Sequence, residues 1–370
     1  MHFALSGEQV ELRNSLRKFF ADKAPVSAAR KQMTTPDEFD QIVWKTMATQ
    51  LGLVGLCLPN EFGGSEFSMV ELGVALHEMG RNLYSGPFFS TVVLAANALL
   101  FSGDNAMNHE YLPKIAAGEL LGTLAITEGD TWDFSAIETT ALSVNNEWFI
   151  DGAKQNVLDG AIAEFFVVSA VANGQLSLFL ADRLSSNIDV RTCKTLDETR
   201  NMATVKFRNT PVRLLGKLGD AQTILSKTLQ IANIAIACES VGSAEKCLEM
   251  SVDYAKQRQQ FGRSIGSFQA VKHKCAEVLL EVESAKSAAL YACWSASENN
   301  DDLETVALLA KAFCTDAFFR AASENIQIHG GIGFTWEHDA HLFFKRAKTS
   351  QQLFGDPSSL RLKLADKIGI

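Results

Sequence analysis

The chain has 370 residues, 47% of them hydrophobic and 21% charged, with a net charge of −9. That length suffices for two or three cores, and the composition excludes a disordered chain. The negative balance excludes nucleic acid as a default partner and a polybasic membrane patch, although a local basic cluster can still hold a phosphate.

Taken in order, the first residues lack a basic stretch followed by an apolar one, and no apolar run is long enough to span a bilayer. The expectation is therefore a cytoplasmic protein without a membrane span. Ser6 with Gln9 three residues on reads as a capping box. Leu12, Leu16, Phe19 and Phe20 then repeat at helical spacing. Phe39, Ile42, Val43, Met47 and Leu51 predict a second helix stopped by Gly52. Val70 to Met79 predicts another, ended by Gly80, and Pro87 to Leu100 a buried one. Residues 1–117 thus read as an N-terminal helical domain.

The pattern changes after Gly118. Leu120 to Ile126 is β-compatible. Glu147 to Ile150, followed by Asp151-Gly152, reads as a strand and a tight turn. Phe165 to Val168, Leu176 to Leu180 and Ala203 to Phe207 are strand-like. Residues 118–215 therefore read as an antiparallel barrel or sandwich. Beyond Asp220 long helices return. Ile231 to Val252, Val271 to Ala285 and Val306 to Ala321 each carry one apolar face, and with a last short helix they predict a four-helix bundle over 216–370. The fold class is α+β: helical domain, middle antiparallel β-domain, C-terminal bundle.

Seven cysteines occur without a C-x-x-C pair. Buried thiols in a reducing compartment explain them better than disulfides or zinc, and no metal site is expected.

Two motifs carry chemistry. The first runs from Tyr254 through Arg258, Phe261 and Gly262 to Gln269. The second is Gln327-Ile328-His329-Gly330-Gly331-Ile332-Gly333-Phe334. Together they resemble the C-terminal signature of the acyl-CoA dehydrogenase family. Pro59 to Gly64 is similar to that family's early loop. Leu112 to Glu119 and then Ala125-Ile126-Thr127-Glu128 are similar to its passage into the middle domain. The resemblance covers nearly the whole chain in the family's order, and the three-domain plan read from the pattern agrees with it.

The resemblance implies α,β-dehydrogenation of an acyl-CoA thioester with FAD as cofactor, in β-oxidation of a fatty acid or a sterol side chain. A carboxylate takes the α-proton, while the β-hydrogen leaves as hydride to the flavin. Polarisation of the thioester carbonyl, as in an oxyanion hole, makes the α-proton acidic enough to be removed. Electrons would pass to an electron-transfer flavoprotein. Arg258 suits the pyrophosphate because its planar fork donates bidentately. Thr127, Phe261, Gln269, Gln327, Gly330 and Gly331 are the other implied cofactor contacts, several of them reaching a neighbouring subunit. The overall style resembles members acting on bulky, steroid-like or branched acyl-CoAs.

The chain departs from the family in two places. After Thr127-Glu128 the family's Pro-Gly-Ala-Gly-Ser-Asp is replaced by Gly129 to Ser135, and its Trp-Ile-Thr falls on Asn156-Val157-Leu158. The family's catalytic Glu falls on Phe354, which cannot take a proton. The alternative base position, on the first bundle helix, falls on Ala232. Two carboxylates remain as candidates: Asp356, two residues beyond Phe354, and Glu239, two helical turns beyond Ala232. For Asp356 the competing reading is a helix cap before Pro357. For Glu239 it is a polar contact between helices. Either the chain is itself a dehydrogenase in a homotetramer, or it is a largely non-catalytic subunit completing a heterotetramer with a homologous chain.

Overall fold

The computed structural model describes residues 4–129, 132–298 and 300–370. Asp130 and Thr131, within the segment that departs from the family pattern, lie outside the described residues. The helices in chain order are α1 (Gly7–Lys23), α2 (Val26–Gln32), α3 (Gln41–Thr49), α4 (Met69–Arg81), α5 (Ala96–Ser102) and α6 (Asn105–Ala116). Seven strands follow: β1 (Gly122–Ala125), β2 (Thr140–Val144), β3 (Glu147–Leu158), β4 (Phe165–Ala172), β5 (Gln175–Asp182), β6 (Ile188–Thr192) and β7 (Met202–Leu215). Then come α7 (Ala221–Gln257), a small hairpin of β8 (Gln259–Gln260) and β9 (Arg263–Ser264), α8 (Gln269–Ser297), α9 (Leu303–His329), α10 (Ala340–Gln352) and α11 (Pro357–Lys367). Among the described residues, no helix is long and apolar enough to cross a membrane.

Two compact units emerge. One comprises Lys31–Phe67 and Ser85–Ala232. Its centre is a ring in which β2, β3, β7, β5 and β4 pair in turn and β4 returns to β2. The ring is mainly antiparallel, but β4 lies parallel to β2 and to β1. Alternation along β4 sends Phe166, Val168 and Ala170 into one apolar cluster with Phe179, Val205 and Phe207. Its other face is also covered, and Phe165 meets Tyr111 of α6 edge to face.

The turn expected at Asp151-Gly152 is not there. β3 runs straight through both residues with a register shift between Ile150 and Gly152. The hairpin turn is Asn145-Asn146, both with positive φ, and it joins β3 to β2, a strand that the pattern did not single out. Two adjacent asparagines accept left-handed backbone, as a two-residue hairpin turn requires. The helix expected over Pro87 to Leu100 is present, but its first part, Phe89–Ala95, is wound as a π-helix before α5.

The other unit comprises Met1–Arg30, Ser68–Tyr84 and Asn233–Ile370. The capping box of Ser6 and Gln9 is present at α1. α4 does not stop at Gly80 but continues to Arg81. Gly80 serves packing instead: a Cβ there would lie 2.0 Å from the carbonyl of Glu239, and one on Gly242 would lie 1.9 Å from that of His77. Facing glycines thus let α4 and α7 touch backbone to backbone, and Ser243 Oγ seals the contact by donating to Gly80 O at 2.8 Å. α8, α10 and α11 pack on α9, and α7 meets α8 at Cys238–Cys293 and α10 at Glu239–Arg346, which together supply the bundle. Fully buried Phe318 and Phe343 each stabilise it by about 1.5–3 kcal/mol.

Candidate functional site

The two candidate bases are both engaged. Asp356 is the N-cap of α11 and accepts from the backbone N–H groups of Ser358 and Ser359. The Ser359 hydroxyl and those N–H groups hold its pKa below the usual value, which makes it a weaker base. Glu239 is almost fully buried on α7 and accepts from Nη1 of Arg346 on α10 at 2.7 Å. That buried guanidinium engages one of the two carboxylate oxygens.

Phe354 is itself buried, in left-handed backbone with φ of 61°. For a bulky residue that conformation is strained and persists only where the surroundings impose it. Lys311 supplies part of the constraint. Its Nζ, buried beneath the turn, donates to Gln351 O at 3.0 Å and to Gly355 O. Burial lowers the Lys311 pKa to about 7, against the pull of Asp356 and Asp316.

The two segments expected to hold the dinucleotide come together at one end of the bundle unit. Tyr254, one turn before Arg258 on α7, stacks on His329 at 4.2 Å. His329 is the last residue of α9, directly before Gly330. Its ring also meets His338 at 4.4 Å. Burial lowers the pKa of both histidines and so favours the neutral rings. Gly330 has φ of 62° and ψ of −141°, a conformation that only glycine adopts readily. Gly331 differs: its φ is ordinary, and a Cβ there would meet nothing within 4 Å. The chain's own fold does not require glycine at 331, which leaves room for an approaching ligand.

Around this turn the surface is exposed. Gln327, Gly330, Gly331, Arg258 and Gln269 all face solvent. Arg258 makes no side-chain ion pair among the described residues. Phe261 and Gly262 form the two-residue turn of the β8–β9 hairpin, both with positive φ. Phe261 is 92% exposed, so a bulky aromatic is held both strained and solvated. Gln269 opens α8, whose first turn has no side-chain cap. Uncapped N–H groups, a solvent-facing guanidinium and an unfilled glycine together suit a pyrophosphate. The residues present therefore fit the dinucleotide end of FAD.

In the barrel unit Thr127 is buried and its carbonyl accepts from Gln155 N at 2.8 Å. Next to it, Glu128 accepts from the N–H groups of Glu138 and Thr139 and pairs with Lys154. Burial opposes the charge on Glu128, but Lys154 and Thr139 outweigh it and lower its pKa. Burial brings Lys154 down to about 8. Asn156 sits at a second register shift in β3 with φ of 52°, and Val157 and Leu158 are buried in the wall.

Sequence reasoning missed several of these groups. Lys154 shares strand parity with Ile150, which was a usable signal for an inward cation. Lys311 carried no signal beyond being polar on an apolar helix face. Arg30 carried none; it grips the segment after the glycine turn through Asp339, Trp336 O and His338 O, each at 2.7 Å.

Known proteins share this arrangement of elements. The family model described as "Acyl-CoA dehydrogenase, C-terminal domain" matches residues 222–369, and "Acyl-CoA dehydrogenase, N-terminal domain" matches residues 6–119. The chain is 31% identical to acyl-CoA dehydrogenase IpdE2 of Mycobacterium tuberculosis (strain ATCC 25618 / H37Rv) over 98% of its own length and 97% of the relative's. Among solved structures it is similar to a variant of the Tcur3481-Tcur3483 steroid ACAD, with a TM-score of 0.88 and 29% identity over 98% of this chain and 97% of that one. It is also similar to a chain described as electron transferring flavoprotein of Acidaminococcus fermentans, with a TM-score of 0.93 and 26% identity over the full length of both.

Proposed function

The chain belongs to the acyl-CoA dehydrogenase family of FAD-dependent oxidoreductases, and from that premise we propose that it takes part in α,β-dehydrogenation of an acyl-CoA thioester, passing electrons to an electron-transfer flavoprotein. The observation that carries the cofactor assignment is the convergence of two exposed segments, Arg258 to Gln269 and Gln327 to Gly331, joined by the Tyr254–His329 stack. FAD supplies the two-electron acceptor when bound. Arg258 would hold its pyrophosphate, and Gly331 would let backbone approach it closely. Thr127, beside Glu128 and its buried partner Lys154, would serve the flavin end. Likeness to a steroid ACAD supports a bulky acyl group, such as a sterol side chain.

A second reading shares this site: a subunit whose flavin chemistry depends on a homologous partner chain in a heterotetramer. It is favoured by the state of the carboxylates. Asp356 is a cap of lowered basicity, Glu239 is ion-paired, and a buried phenylalanine stands at the expected base position. On the first reading, one of these two carboxylates accepts the α-proton; on the second, the partner provides it. The test of the shared part is FAD titration followed by quenching of flavin fluorescence. Arg258→Ala should weaken binding at least tenfold with no change in melting temperature. Unchanged affinity would remove Arg258 from the cofactor site.

A further inference from the structure

Outside the site already described, the bundle unit holds a cavity of about 270 Å³ lined by residues of α1, α4, α7 and α8. Arg17, His77, Glu245 and Lys286 contribute its polar lining. At its apolar side lie Cys238 of α7 and Cys293 of α8, both buried, with their sulfurs 3.3 Å apart. The third wall makes space for them. Gly73 of α4 lies against both sulfurs, and a Cβ there would be 2.7 Å from Cys293 Sγ and 3.2 Å from Cys238 Sγ. Glycine inside a helix weakens it relative to alanine, so this position gives up helix stability to leave room for the two thiols.

We propose that Cys238 and Cys293 are a vicinal dithiol site that a small hydroperoxide oxidises to a disulfide, stapling α7 to α8. The sulfurs need to close by a little over 1 Å to reach bonding distance. The cavity admits the oxidant to sulfurs that are otherwise covered. In the first step one cysteine sulfur, as thiolate, attacks the outer oxygen of the hydroperoxide. The O–O bond breaks, the alcohol leaves carrying the thiol's proton, and a sulfenic acid forms. In the second step the other sulfur attacks the sulfenic sulfur. The S–S bond forms, the S–O bond breaks, and hydroxide leaves as water with the second thiol proton. The two thiols lose two electrons and the peroxide gains them. Cys314, also buried, points its sulfur at Ala285 O, 3.4 Å away.

Tryptic peptide mapping under non-reducing conditions tests the site directly. Cys238 falls in the peptide 228–246 and Cys293 in 287–311, so their cross-link is distinct from every other pair. Folded protein treated with a modest excess of hydrogen peroxide should yield this cross-linked pair, two hydrogens lighter than the sum of the peptides and reversed by dithiothreitol. The oxidised protein should melt at a higher temperature than the reduced one, and Cys293→Ser should lose both effects. If that variant fails to fold, the wild-type map decides alone. Three results overturn the proposal: oxidation confined to the half-exposed Cys57, Cys193 and Cys275; cross-links to other cysteines only; or a Cys238–Cys293 link that appears only after unfolding in urea.

Discussion

Replacing Arg346 with methionine separates the structural reading of Glu239 from the catalytic one. Arg346 and Glu239 are the most deeply buried ion pair described in the bundle unit, with side chains 1% and 7% exposed and 2.7 Å between Nη1 and Oε1. Methionine keeps much of the arginine's apolar bulk but removes the guanidinium and every hydrogen bond it makes, the one to Glu239 included. A buried carboxylate left without its cation costs about 3–5 kcal/mol. At a little over 1 °C per kcal/mol for a chain of this length, the thermal midpoint should fall by about 5 °C. Glu239→Gln should cost less, because an amide oxygen can still accept from the guanidinium. Adding Glu239→Gln to Arg346→Met should recover much of the loss, since no buried charge then remains. The assay is differential scanning fluorimetry of the four proteins as a double-mutant cycle. An Arg346→Met protein that melts with the wild type would refute the reasoning and return Glu239 to the list of available bases.

Gly331→Ala should leave the melting temperature unchanged, because its Cβ would enter open space, and should weaken FAD binding. Gly330→Ala should lower both, because its φ of 62° strains any side chain; equal behaviour of the two variants in fluorescence titration and melting would undo the distinction. Asp356→Ala should cost about 1 kcal/mol of stability as a lost helix cap, read from the urea midpoint, while single-turnover flavin reduction stays intact if Asp356 is only a cap. Lys311 gives a pH dependence. Its pKa is about 7 when folded and 10.5 when free, so between those values the unfolded chain binds more protons. The cost of burying the ammonium is present in full below pH 7 and is relieved as pH rises toward 10.5, so Lys311→Met should flatten the rise in urea midpoint over that window.

Much of the fold was legible because local chemistry and tertiary packing agree. Ser6 with Gln9 announced a helix start that forms as expected, and the apolar faces of α7, α8 and α9 follow their spacing. The errors have physical causes. Gly80 and Asp151-Gly152 looked like punctuation, yet each lies inside an element. Gly80 is there for a neighbouring backbone, and Gly152 for the side chain of Thr139, which a Cβ would meet at 2.3 Å. Parallel pairing of β4 with β1 and β2 depends on strands far apart in sequence, which short-range patterning does not encode. At the site, it was the resemblance to the family, rather than glycine and arginine spacing alone, that pointed to the segments around Arg258 and Gly330. It did not reveal that buried His329 and half-buried Tyr254 join them, or that Arg30 holds the loop beyond them. Carboxylate positions were readable, but their partners were not: the cap on Asp356 was foreseeable from Pro357, whereas Arg346 lies 107 positions from Glu239.

The most direct measurement is anaerobic flavin reduction. The chain, loaded with FAD, is mixed with a short straight-chain acyl-CoA or with a sterol side-chain acyl-CoA, alone and after co-expression with a homologous acyl-CoA dehydrogenase chain. Bleaching of the bound flavin's visible band in at least one of these preparations, diminished together with FAD binding by Arg258→Ala in this chain, is the expected result. Bleaching by the chain alone supports the self-sufficient dehydrogenase, and bleaching only with the homologue supports the heteromer. A protein that binds no FAD in either preparation, or whose bound flavin no acyl-CoA reduces, would contradict the assignment.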